Sequence, residues 1–80
     1  MITQKEAEAL AVKHVQEFVN ACKPNDLEDV GNALLKLLST TGQAMIATQG
    51  QDVALAMVEG THEYLARPEF STPFKMETMQ

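Results

Sequence analysis

Glu59 and His62 stand three residues apart in a stretch of helical apolar spacing. This is the E-x-x-H half-motif with which carboxylate-bridged di-iron bundles hold part of their metal. At that spacing a carboxylate and an imidazole share one side of a helix and could ligate a common cation. A complete site needs a second such pair and two more inward carboxylates. On a helical plot Glu59 falls on the polar side and His62 at the edge of the apolar stripe. The favoured reading is a solvated pair, with a metal-binding helical protein built on Glu59 and His62 as the alternative.

The other chemically capable side chains are isolated. His14 lies between Leu10 and Phe18 in an apolar stripe, where it could act as a general base or a pH switch. No nucleophile can be assigned to it, so it is expected at the core edge with a ring nitrogen satisfied by a carbonyl or water. Cys22 is the sole cysteine. It is expected on an apolar face near a helix C-terminus, the end that disfavours a thiolate, and hence as a buried, inert thiol. A single cysteine also excludes a disulfide-stapled fold. Glycine-rich phosphate loops, CxxC pairs, HExxH and GxSxG do not occur. The adjacent acids Glu28 and Asp29 are explained by a helix dipole rather than as a catalytic dyad. The chain is expected not to be an enzyme, with no catalytic residues, no metal site and no cofactor.

What would position these side chains is a set of helices. Leu27, Leu34, Leu38 and Met45 recur at steps of seven, four and seven, and Leu10, Val15, Phe18 and then Val53, Met57, Tyr64 repeat the pattern. Such spacing gathers apolar groups on one side of an α-helix, whereas in a strand it would scatter them over both faces. Thr3 and Glu6 have capping-box spacing and open a first helix over 4–22. Its apolar face collects Leu10, Ala11, Val15, Phe18, Val19 and Cys22, and Lys23-Pro24 ends it, because proline disfavours helical geometry in the preceding residue.

Asn25 with Glu28 repeats the cap, and Asp26, Glu28 and Asp29 place negative charge where the helix dipole favours it. A second helix over 26–49 would be ~36 Å long at 1.5 Å per residue. Ser39-Thr40-Thr41-Gly42 weakens it, but Thr41 and Met45 hold the phase of Leu34 and Leu38, so it is expected to be continuous. Gly50 suits a left-handed terminator and Asp52 the next N-cap. A third helix spans 53–66, carrying Val53, Met57, Val58, Thr61, Tyr64 and Leu65 on one side and a Glu63–Arg67 pair on the other. Residues 68–80 read as an extended tail after Pro68. Gly31, Gly42 and Gly60 lie on or beside the stripes, each costing about 1 kcal/mol against alanine, and suggest close backbone approach.

Composition bounds the partners. The 80 residues carry a net charge of −5, are 45% hydrophobic and 5% aromatic, and lack tryptophan. That is one small domain with an aliphatic core of marginal size and too many apolar residues for intrinsic disorder. Residues 1–24 are neutral, with Lys5, Lys13 and Lys23 against Glu6, Glu8 and Glu17, while residues 25–67 set six acids against Lys36 and Arg67. Without a basic stripe, direct binding to nucleic acid or to an anionic membrane is disfavoured. The opening residues have no apolar signal core, and no apolar run nears the ~20 residues of a membrane span. The expected compartment is the cytoplasm.

The short acidic format and the opening Met1-Ile2-Thr3-Gln4-Lys5-Glu6-Ala7-Glu8 resemble small uncharacterised proteins of phages and prophages. The resemblance runs over the whole chain in overall style, has no diagnostic motif, and implies an accessory role directed at host or phage.

The expected fold is all-α: a three-helix bundle running up-down-up, or an open helical hairpin assembly, with 1–67 as the single domain and an extended tail. The expected function is a non-enzymatic acidic helical protein-interaction module, with a nucleic-acid mimic that binds a DNA-binding protein as a third reading. Helix 2 keeps the seam Leu27, Gly31, Leu34, Leu38, Thr41, Met45, Thr48, suited to an antiparallel neighbour. Leu35 and Ile46 point away from that seam and need separate cover. A homodimer would hide them, and Phe70 and Phe74 of the tail are the competing cover. Leu35, Ile46, Phe70 and Phe74 are therefore the candidate interface residues.

Overall fold

The computed structural model describes residues 1–71 and is all-α, with α1 over Gln4–Ala21, α2 over Leu27–Gln49, α3 over Gln51–Leu65 and a short 3-10 turn at Pro68–Phe70. Phe74 and the rest of the expected tail lie outside the described residues.

Each helix begins where its backbone amides find an acceptor. At α1 the Glu6 amide donates to Thr3 Oγ1 at 3.1 Å, and the Thr3 amide donates back to Glu6 Oε1 at 3.2 Å, which completes the capping box. The helix stops at Cys22, whose amide still reaches the Phe18 and Val19 carbonyls, and Lys23 turns left-handed at φ 53° ahead of Pro24. The α2 cap sits one residue later than the Asn25–Glu28 spacing suggests. Asp26 Oδ1 accepts from the Asp29 amide at 2.8 Å, and Asp29 Oδ2 accepts from the Asn25 amide at 3.0 Å. A carboxylate is a stronger acceptor than the Asn25 amide oxygen, and Asp26 wins the position. From there α2 runs 23 residues without a break through Ser39–Gly42.

The corner between α2 and α3 is a single residue. Gly50 has φ 85° and ψ 157°, a region essentially reserved for glycine. Its amide closes α2 on the Ile46 carbonyl at 2.9 Å, and its carbonyl opens α3 by accepting from the Ala54 amide at 3.0 Å. Asp52 is therefore not the N-cap. The chain leaves α2 and enters α3 at Gln51, two residues before the expected start, so Asp52 lies inside the first turn and α3 has no side-chain cap.

Packing between the helices is open. α2 packs on α3 and, less extensively, on α1, and contacts between residues distant in sequence are few. Among the described residues only Val19, Val30 and Ala54 are buried, one from each helix, and Ala54 is the most enclosed at 1% exposure. Ala54 lies in the first turn of α3, next to the Gly50 corner where the chain doubles back. The expected face of α3 is not buried: Val53, Met57, Val58, Thr61, Tyr64 and Leu65 are all exposed, because α3 beyond its corner has little to lie against. On α1, Val15 and Phe18 are half-buried as the stripe suggests, whereas Leu10, Ala11 and Cys22 are exposed.

Two measures quantify the openness. The radius of gyration is 14.0 Å, against about 11–12 Å for a compact chain of this length. The accessible surface is 6921 Å² for 8.8 kDa, against about 4,800 Å² by the scaling of folded monomers.

Candidate interaction surface

The seam expected on α2 divides into two in the structure. Leu34 and Met45 are half-buried, and with Val30, Ala33 and Leu37 they form the side turned toward the rest of the chain. Leu27 and Leu38 belong to the open side instead. With Leu35 and Ile46 they are exposed at 63%, 60%, 61% and 41%. At 100° per residue these four fall within a 100° arc that also holds Gly31 and Gly42. A side chain built on either glycine would meet nothing within 4 Å, so nothing inside the chain demands their small size.

Phe70 does not cover this arc. Its ring stands 5.0 Å from that of Tyr64 at 57° on the outer turns of α3, and Arg67 places its guanidinium 4.9 Å above the same Tyr64 ring. The Arg67 side chain also lies 3.7 Å from Glu69, and its expected partner Glu63 is not in ion-pair range. The i,i+4 geometry is lost because Arg67 follows the end of α3 in extended backbone, at φ −63° and ψ 146°. Leu35, Ile46 and Phe70 are thus all at the surface, the first two together on α2 and the third apart from them on α3's end.

The groups weighed for chemistry stay separate. Glu59 and His62 are exposed on α3, and among the described residues no three of His, Cys, Asp and Glu gather in a way that could hold a metal. His14 is not at a core edge. Its side chain is exposed, with Nδ1 3.9 Å from Glu17 Oε2, and Lys13 shares the same carboxylate at 3.9 Å. Exposed pairs of this kind contribute about 0–1 kcal/mol. Cys22 is exposed rather than buried, because it lies past the end of α1, beyond the part of the last turn where Val19 is covered. The clearest electrostatic perturbation is at Glu6, whose carboxyl is held below the usual range by its hydrogen bonds from the Thr3 amide and hydroxyl. That is capping, not catalysis. No described helix is long and apolar enough to cross a membrane.

Sequence spacing placed Leu35 and Ile46 on the exposed patch but assigned Leu27, Gly31 and Leu38 to an internal seam. Helical phase alone does not separate the two, since Leu27 and the half-buried Met45 fall at the same angle on α2. No family model, curated protein or solved structure matches the chain.

Proposed function

We propose that this chain is a non-enzymatic protein-interaction module that works as a homodimer. The supporting observation is the exposed apolar arc of α2, centred on Leu35 and Leu38. Soluble monomers seldom keep a contiguous patch of this kind, and it marks a surface that another protein covers. A chain whose described residues bury only Val19, Val30 and Ala54 has stability to gain from association, as obligate dimers do.

The biological setting follows the resemblance to small phage and prophage proteins: an accessory role exercised by binding rather than by chemistry, in the cytoplasm. The exposed thiol of Cys22 fits a reducing compartment, since exposed free cysteines pair between chains under oxidising conditions.

Sedimentation equilibrium at micromolar concentration tests the reading. The expected mass is twice the 8.8 kDa of the chain, and Ile46→Glu is expected to shift it toward monomer. A clean monomer mass for the unmodified protein defeats the dimer.

A further inference from the structure

One apolar stripe of α2, exposed at five of its six positions and half-buried at Gly42, has an internal symmetry. Leu27, Gly31, Leu35, Leu38, Gly42 and Ile46 are separated by steps of four, four, three, four and four. Reversed, the series reads the same in residue class: large, glycine, large, large, glycine, large. Its centre lies between Lys36 and Leu37. A two-fold axis through that point lays α2 antiparallel to a second copy of itself. Leu27 then faces Ile46 of the partner subunit, Gly31 faces Gly42 of the partner subunit, and Leu35 faces Leu38 of the partner subunit.

We propose that this palindromic stripe is the homodimer contact, an isologous antiparallel crossing of α2 on α2. The inference rests on the self-association argued above and adds its occupant, face and direction. A two-fold interface must be complementary to itself, and the palindromic series meets that condition at its six positions, with Glu28 and Met45 paired at the edges of the arc. The two glycine pairs leave shallow sites on either side of the central leucines. There the backbones approach and the leucines of one helix seat in the gaps of the other. This accounts for Gly31 and Gly42, which no contact within the chain explains.

Charge selects the direction. Asp26, Glu28 and Asp29 crowd the first turn of α2, and its last turn carries no charge of either sign. A parallel pair would set the two acidic turns side by side at about 8–10 Å, the usual distance between packed helices. The antiparallel pair holds them about 25 Å apart along the axis, well beyond the Debye length of about 10 Å at 0.1 M salt. It also opposes the two helix dipoles.

Engineered disulfides test the contact in the full chain, with Cys22→Ser removing the native thiol. Leu27→Cys and Ile46→Cys chains are prepared separately, refolded together and oxidised. The expected result is a covalent dimer in the mixture and none in either chain alone, because equivalent positions lie about 28 Å apart in the antiparallel pair, far beyond the reach of a disulfide. Gly31→Cys mixed with Gly42→Cys is expected to behave alike, and serves if the first pair loses its helicity by circular dichroism. Crosslinking of Leu27→Cys to itself overturns the direction. A dimer by sedimentation that yields no disulfide from either mixture overturns the face and leaves self-association standing. A monomer overturns both.

Discussion

Tyr64 and Phe70 face each other with ring centroids 5.0 Å apart and planes inclined at 57°, so the turn after α3 is fastened back onto the helix it leaves. Tilted aromatic pairs contribute about 0.5–1.5 kcal/mol beyond their buried area. Because Tyr64 is the only tyrosine and tryptophan is absent, the near-ultraviolet circular dichroism of this side chain is a direct reporter. Phe70→Ala is expected to diminish the tyrosine band near-selectively, with a stability loss of about 1 kcal/mol and unchanged far-ultraviolet helicity. An unchanged tyrosine band would show that the pair does not persist in solution.

Gly50→Ala is expected to be the costliest single substitution of a small residue. The backbone at φ 85° and ψ 157° is closed to residues with a side chain, at about 1–3 kcal/mol. Open space surrounds the position, so the penalty is conformational and not a clash. Thermal or urea unfolding measures it, and a loss below about 0.5 kcal/mol would mean that the corner relaxes to another geometry.

The glycine substitutions in the middle of helices should divide by sign. In an isolated helix Gly→Ala stabilises by about 1 kcal/mol, and Gly31, Gly42 and Gly60 all have room for a methyl group within the chain. Gly60→Ala lies off the α2 stripe and should raise stability. Gly31→Ala and Gly42→Ala should instead weaken the dimer, read as an increased dissociation constant by sedimentation. If all three stabilise without altering association, no second helix approaches α2 at these positions.

The capping box sets a pH dependence at the start of α1. Glu6 titrates below its ordinary value because the Thr3 amide and hydroxyl donate to its ionised form. A depressed carboxyl contributes stability above its unfolded value, and that stability is lost as pH falls through the folded value. The first turn of α1 should therefore fray in acid, below the ordinary glutamate range. Carboxyl NMR titration of Glu6 should show the depressed value in the native chain and only a partial return toward normal in Thr3→Ala, which removes the hydroxyl but keeps the backbone amide that is the larger cause.

Local structure was the legible part of this sequence. Thr3 with Glu6 announced its cap, and the shared phase of Leu34, Leu38, Thr41 and Met45 carried α2 across Ser39–Gly42, as the structure has it. Asp26 displaced Asn25, and Gly50 displaced Asp52, because neighbouring residues with capping ability differ by geometry that spacing does not encode. Which apolar stripe is buried was less legible. Periodicity identifies a face but not whether a neighbour lies against it. Leu27 and Leu38 share helical phase with Leu34 and Met45, yet the first two are open and the second two half-covered. Ala54 was invisible to a search for large side chains, although it is the best enclosed of the described residues.

With one residue between α2 and α3, there is no slack in the corner to absorb movement. The 15 residues of α3 make a rigid arm about 22 Å long at 1.5 Å per residue, pivoted at Gly50. A rotation of about 10° at that pivot sweeps the far end, with Tyr64 and Arg67, through about 4 Å at this rise per residue. The geometry of one glycine therefore sets where the distal end of α3 stands, to within the size of a side chain for each such change in torsion.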